Sequence, residues 1–326
     1  MIYVELPHEC DRRLSFFLSM EEYVARALPM SDEEGAFFMW QTGPSVIFGR
    51  NQLVENEVNL SYCREHNIAI YRRKSGGGCV YSDMGNVMLS FITAEKSVAL
   101  AFNRYLNLIC LALMKVGVEA TISGRNDILI GGRKVSGNAF FNCAGRSIVH
   151  GTMLYDTNMA NMLAAITPGR VKLESNGVES VRSRIALLKD HVSMGLPDIM
   201  ATLRQTLCCS TVVLNKEQVM EIERIESEYL EDSFIYGHNP RATKTIKKHI
   251  NGVGNVEVRL DVKGGKIRDI NILGDYFLVG DLEAEILSPL RGACFSHEGI
   301  EKALEGKRCD AIKGLDKRGL MAILTE

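Results

Sequence analysis

The sequence predicts an α/β protein, more strictly α+β, with a large domain followed by a small one. Three observations carry this. The chain has 326 residues, more than one ordinary single-core domain holds. Helical and strand periodicities are interleaved from the N-terminus to about residue 230. The pattern then changes after the turn-rich stretch 231–243 (EDSFIYGHNPRAT). Residues 253–262 alternate apolar and polar, Gly264-Gly265 offer a hairpin turn, and 266–273 alternate again. The expected partition is a domain over 1–235, a linker over 236–245 and a small α+β domain over 246–326.

The elements follow in order. Residues 15–29 place Phe16, Phe17, Met20, Tyr23, Val24 and Ala27 at helical spacing, with Ser15 as N-cap and Pro29 as stop. Residues 36–49 read as strand, Gly43-Pro44 turn and strand, and 58–66 as a short helix. Residues 67–73 form a strand that runs into glycines, and 86–93 another strand. The apolar stretch 97–117 reads as a long buried helix. Strands are expected near 119–122, 126–130 and 147–155, and helices over 156–166, 195–209 and, amphipathic and acidic, 216–230. The stretch 231–243 has no periodicity and reads as linker. Two or three short helices close the chain, and there is no internal repeat.

Composition narrows the class. Hydrophobic residues are 46% and charged residues 24%, as in soluble globular proteins. A net charge of −2 and a pI near 6.4 exclude a general nucleic-acid binder, which needs a basic excess. Nine cysteines without a CxxC pair suit reduced thiols better than a disulfide framework or a zinc site. The start, MIYVELPHECDRR, lacks the pattern of a signal peptide, and no uncharged apolar run reaches about 18 residues. The expectation is a cytoplasmic protein without a membrane span.

Four motifs could carry chemistry. Arg72-Arg73-Lys74-Ser75-Gly76-Gly77-Gly78 follows a strand directly. Bare glycines allow positive φ and close approach, successive N–H groups form an anion cradle, and guanidinium binds two oxygens at once. The same residues also suit a solvated turn, although three cations and a serine at a strand end favour the anion site. Neither a P-loop nor a GxGxxG fingerprint is present. Asn126-Asp127-Ile128 and Gly131-Gly132-Arg133-Lys134-Val135-Ser136-Gly137 read as a hairpin that brings Asn126 and Asp127 near Lys134. There an Asp could hold Mg²⁺ and a Lys could offset developing negative charge; taken alone, an ordinary polar hairpin has the better odds. His150-Gly151-Thr152-Met153-Leu154 puts a histidine on an apolar strand, where a structural role outweighs a catalytic one. Ser180-Val181-Arg182-Ser183-Arg184 could brace a loop or be a solvated turn.

Taken together, these segments resemble lipoate–protein ligases of the biotin/lipoate ligase superfamily. RRKSGGGCVYSDMGN (72–86) is similar to their RRxSGGGxVxxDxGN run, NDILIGGRKVSGNAF (126–140) to their NDI…GKKISGSA segment, HGTML (150–154) to HGTLL, and GVESVRSRI (177–185) to G[IV]xSVRSRV. LEDSFIYGHNP (230–240) and VEVRLDVKGGKIRDINILGDYF (256–277) resemble the approach to, and start of, their small C-terminal domain. Order and spacing agree over nearly the whole chain. Two positions depart: Cys79 stands where alanine is usual and Ser82 where histidine is frequent.

The resemblance implies a large ligase-type domain of mixed β-sheets and surrounding helices, plus an accessory domain that moves between half-reactions. It implies that lipoate and MgATP give lipoyl-AMP and pyrophosphate. The ε-amine of a lysine on a lipoyl domain then takes the lipoyl group, the acceptor being an E2 subunit of a 2-oxoacid dehydrogenase or the glycine cleavage H protein. It assigns Lys134 as the catalytic residue, touching both the lipoyl carbonyl and the AMP phosphate. Around lipoyl-AMP it places Arg73, Ser75, Gly76, Gly77, Gly78, Val80, Tyr81, Asn126, Asp127, Ser136, Gly137, Ala139, His150, Gly151 and Thr152. Asp127 would serve Mg²⁺, and His150 would line the pocket rather than move protons. A monomer is expected.

A rival enzyme class is a lipoyl or octanoyl transferase that works without ATP and needs a cysteine nucleophile. Cys79, expected on a strand and buried, and Cys143, expected in an exposed turn without a partner, are its candidates. The SGGG loop and the C-terminal domain favour the ligase. A third reading, a silent lipoate binder, sits poorly with Asp127 and Lys134.

Overall fold

The computed structural model describes every residue except 9–10, 32–34, 124–125, 167–183, 238–241 and 326. The chain divides into two compact units. The first holds Met1–Ile47, Glu55–Arg73 and Val80–Ile235; the second holds Phe48–Val54, Lys74–Cys79 and Tyr236–Glu326. The second unit therefore draws two short segments from the first half of the sequence, one of them the glycine run.

The strands before the C-terminal region are β1 (Ile2–Glu5), β2 (Gly35–Trp40), β3 (Ser45–Phe48), β4 (Ala69–Arg72), β5 (Val80–Ser82), β6 (Asn86–Thr93), β7 (Thr121–Ile122), β8 (Asp127–Ile130), β9 (Arg133–Cys143), β10 (Arg146–Leu154) and β11 (Ser210–Val213). Eight of them form one sheet in the order β11-β1-β2-β6-β10-β9-β8-β7, and β4-β3-β5 form a small second sheet. The pairs of β1 with β11 and β2 are parallel, and the rest of the large sheet is antiparallel. Strand β6 (NVMLSFIT) is buried along its whole length, which explains its nearly unbroken apolar run: both faces of the sheet are covered.

One face is covered by α1 (Leu14–Ala27), on which α7 (Lys216–Tyr229) packs. Their shared core includes Phe16, Leu18, Met20, Val24, Ile222 and Ile225. Each such side chain contributes about 1.5–3 kcal/mol on burial. Between them come α2 (Val54–Glu57), α3 (Leu60–Glu65), α4 (Val98–Lys115), α5 (Met159–Ala165) and α6 (Leu196–Leu207). Helix α4 covers the opposite face, where Phe102 meets Phe140 edge-on and Tyr105 stacks near Phe91. It is long and apolar enough to cross a membrane by length and composition. Its inner side, including Phe102, Tyr105, Leu106, Ile109 and Leu113, is buried in the core.

In the second unit β12 (Lys244–Ile250), β13 (Gly254–Lys263) and β14 (Lys266–Gly274) form an antiparallel meander. Gly264 and Gly265 both have positive φ, as a two-residue hairpin turn requires. Val256, Val258, Leu260, Ile270 and Ile272 share a core with Ile300, Leu320 and Ile323 of the closing helices.

Several expectations are corrected. Ser15 is not the N-cap of α1; Arg13 is, and Ser15 lies inside the helix, where its hydroxyl donates to Glu226 Oε1 at 2.5 Å. The aperiodic stretch 231–243 opens with a short helix, α8 (Asp232–Tyr236), too brief to show a period, and β12 starts at Lys244. Helix α4 is buried on one side only, with Leu100, Leu111 and Met114 exposed. Cys79 lies just before β5 and is half-buried. Cys143 is half-buried at the end of β9, packed against the core cluster of α1 rather than exposed in a turn.

Candidate active site

The hairpin of β8 and β9 is the best-defined part of the site. Its turn is Gly131-Gly132, both with positive φ. Pairing runs Ile130–Arg133 and Leu129–Lys134, then slips by one, so that Ile128 faces Ser136 and Asp127 faces Gly137. The extra residue is Val135, which is buried. Lys134 Nζ lies 2.8 Å from Asp127 Oδ1. The Lys134 backbone is held on its other edge: its N–H donates to Arg184 O at 2.7 Å, and its carbonyl accepts from Ala186 N at 2.8 Å. Of the Ser180–Arg184 motif only Arg184 is described; 180–183 lie outside the described residues.

Asn126 is tied to β9. Its Nδ2 donates to Asn138 O at 2.7 Å, and Asn138 Nδ2 returns a bond to Asn126 O at 2.9 Å. Ser136 Oγ donates to Asn138 Oδ1 at 3.2 Å. Gly151 makes room for that same oxygen, since a Cβ there would stand 1.9 Å from it.

Register then fixes which candidates share a face. Asp127, Gly137 and Thr152 form one row across β8, β9 and β10; Ala139, His150 and Ser90 form the next but one, across β9, β10 and β6. Alternate residues of a strand share a face, so Gly137 and Ala139 leave a strip of small side chains bordered by Thr152 and His150. The far end of this strip is polar and buried under α1. His150 Nδ1 lies 2.8 Å from Glu21 Oε2, Ser90 Oγ donates to Glu21 Oε1 at 2.5 Å, and Trp40 Nε1 donates to Ser90 Oγ at 2.9 Å. Phe17 stacks on Trp40 with ring centroids 4.8 Å apart.

Sequence reasoning finds His150 but not Glu21, Ser90 or Trp40. The available signal is the pair Glu21-Glu22 inside the apolar face of a helix. Such carboxylates need buried partners, and Glu22 has its own: Arg26 at 2.7 Å and the Tyr229 hydroxyl.

The glycine-run candidates fall in two places. In the first unit, Arg73 is buried and its Nη1 donates to Ile47 O at 3.1 Å. Beside it Arg72 donates to Ile235 O at 2.8 Å, and burial lowers its guanidinium to about 10. Val80 and Tyr81 lie on β5, with Tyr81 buried. In the second unit, Ser75 O accepts from Arg50 N at 2.9 Å and Gly77 N donates to Tyr276 O at 3.2 Å. The three glycines differ. Gly77 supplies the positive φ; Gly76 allows close approach, since a Cβ there would meet Tyr276 O at 2.4 Å; Gly78 is exposed, with room for a side chain.

An open cleft of about 490 Å³ is lined by Pro44, Asp83, Met84, Gly85, Asp156, Thr157 and Asn158, none of them a candidate from sequence. Asp83 there is structural, accepting from Gly85 N at 2.9 Å and Asn158 N at 2.8 Å. Among the described residues no group of three or more His, Cys, Asp or Glu is gathered as a metal cluster would need.

The geometry thus offers a fixed cation at one end of a small-residue strip and a buried polar pair at the other. Comparison with known proteins agrees with the motifs. The family described as lipoyl protein ligase A/B catalytic domain matches residues 14–208, and the bacterial lipoate protein ligase C-terminus matches 239–324. The lipoate-protein ligase LplJ of Bacillus subtilis is 36% identical over 94% of this chain and 94% of its own. The structure of P. falciparum LipL1 in complex with lipoate has a TM-score of 0.78 at 21% identity, covering 99% of this chain and 97% of that one. A lipoate-protein ligase A bound with ATP has a TM-score of 0.63 at 21% identity, covering 72% and 98%. The chain belongs to the lipoate–protein ligase family.

Proposed function

We propose that the protein activates lipoate with ATP, giving lipoyl-AMP and pyrophosphate, and then passes the lipoyl group to a lysine of a lipoyl-domain protein. The observation that carries this is Lys134, an ammonium whose backbone is held on two sides at the head of the Gly137–Ala139 strip. Both half-reactions build negative charge on a carbonyl or a phosphate. A fixed cation lowers both barriers, because it needs no reorganisation when the charge appears. No covalent enzyme intermediate is required, since AMP is already a good leaving group.

In this reading the apolar lipoyl chain lies along Gly137, Ala139, Thr152 and His150, and the dithiolane end meets the buried His150–Glu21–Ser90 group. His150 shapes the slot, its ring oriented by the contact of Nδ1 with the buried Glu21 carboxylate. Arg73, Val80 and Tyr81 in the first unit and, separately, Ser75 and the Gly76–Gly78 backbone in the second are the groups assigned to the carboxyl and phosphate. Asn126, Ser136 and Gly151 keep β9 in register beside the adenylate. Mg²⁺ would come with the ATP phosphates, and Asp127, whose Oδ1 faces Lys134, could offer its other carboxylate oxygen to that shell. The lysine acceptor would be an E2 subunit or the H protein.

The ATP-free transferase finds no support in the thiols. Cys143 is half-buried and packs on the core cluster of α1. The test is pyrophosphate release from MgATP and lipoate by the purified protein with no acceptor present. Lipoate-dependent release is expected. No release, in a protein that still modifies a lipoyl domain from synthetic lipoyl-AMP, would assign it to the transferases instead.

A further inference from the structure

Lys134 reaches its face of the sheet through a backbone irregularity. In a regular strand residues 134 and 137 point to opposite faces. The slip between the Leu129–Lys134 and Ile128–Ser136 pairs inserts Val135 and shifts the alternation by one. Lys134 therefore lands on the Gly137 side. Its stem lies directly over Gly137, where a methyl group would stand 2.7 Å from both Cε and Nζ. The ammonium then ends on Asp127 Oδ1 at 2.8 Å, and Asp127 is itself the ladder partner of Gly137.

We propose that Gly137 and Asp127 are positioning residues for Lys134: the bare Gly137 backbone is the bed of the side chain, and the Asp127 carboxylate is its stop. The inference rests on the ligase reading above. It gives Asp127 a role other than holding metal, in keeping with a single carboxylate already paired and no acidic cluster among the described residues. The pair is partly exposed, 41% for Lys134 and 26% for Asp127, so it is weak enough to give way to a phosphate oxygen. A stretched lysine has many rotamers; resting on Gly137 removes most of them before substrate arrives, which is where orientation contributes to rate.

Two measurements on the full chain test this, with Asp127→Asn and Gly137→Ala. The first needs no substrate. Trace acetylation by acetic anhydride, read by mass spectrometry against the other lysines, should label Lys134 about two- to fivefold faster in both variants. Labelling equal to that of the unaltered protein would overturn the proposal.

The second is lipoate-dependent ATP–pyrophosphate exchange. Each variant should lose about 10- to 100-fold in kcat with KM for ATP changed little, as expected of a misplaced group. In a Lys134→Met background neither substitution should cause further loss. Additive losses in that background, or recovery of Asp127→Asn by excess Mg²⁺, would refute positioning; the second result would make Asp127 a metal ligand. Should Gly137→Ala fail to fold, Asp127→Asn decides alone. If the unaltered protein shows no exchange, the ligase reading fails, while the labelling still decides the placement of Lys134.

Discussion

Replacing Glu21 by alanine should be among the most damaging single changes in the larger unit. Glu21 is fully buried in the middle of α1 and serves two groups on different strands, the Ser90 hydroxyl and His150 Nδ1. Alanine removes both acceptors at once. Each orphaned buried group costs about 1–3 kcal/mol, and breaking a buried pair by removing one partner costs about 3–5 kcal/mol. A total near 4 kcal/mol is expected, a fall of roughly 8–16 °C in Tm for a unit of this size. Glu21→Gln is the control. Its amide keeps an oxygen for Ser90 and presents an N–H₂ to the imidazole, which can offer a lone pair in its other tautomer, so the loss should stay near ~1 kcal/mol. The assay is urea unfolding followed by the fluorescence of Trp40, the only tryptophan, whose indole N–H donates to Ser90. The reasoning fails if Glu21→Ala lies within about 1 kcal/mol of the unaltered protein, or if glutamine is as harmful as alanine.

Two other changes test separate parts of the fold. Gly151→Ala should destabilise by about 1–3 kcal/mol, because the new methyl would stand 1.9 Å from Asn138 Oδ1, which lies within the buried Ser136–Asn138 pair; a neutral result in thermal unfolding would show that Asn138 can swing away. In the second unit, burial pushes the Glu257 carboxyl up, but Lys247 at 2.9 Å and Arg259 at 2.7 Å overcome this and hold it below its usual value. A depressed carboxyl contributes stability above its unfolded pKa, near 4.5, and loses it as pH falls through the lower folded value. Unfolding midpoints of that unit should therefore fall below about pH 4.5, and Glu257→Gln should flatten this acid limb; an unchanged acid slope in the variant would refute it.

Much of the molecule is decided locally and is legible in the residues. The β13–β14 hairpin follows from period-two alternation around Gly264-Gly265, and α4, α6 and α7 follow from helical spacing and nearby caps such as Ser97 and Asn215. The nearness of Asp127 and Lys134 follows from a tight turn between them. Short elements leave weaker signals: α8 has five residues, and β12 mixes lysines with isoleucines at a sheet edge.

What the sequence by itself determined was the α+β class, the order of the motifs and the hairpin that presents Lys134, because turns, caps and periodicities act over a few residues. Tertiary structure alone decided the rest. The carboxylate facing His150 comes from Glu21, 129 positions away, and the glycine run packs with Tyr276 from the C-terminal region. The face on which Lys134 emerges depends on a one-residue slip against β8 and on backbone bonds to Arg184 and Ala186. No local pattern encodes these pairings. A buried polar group must find its partner wherever packing brings one, and a strand's register is set by the strands beside it.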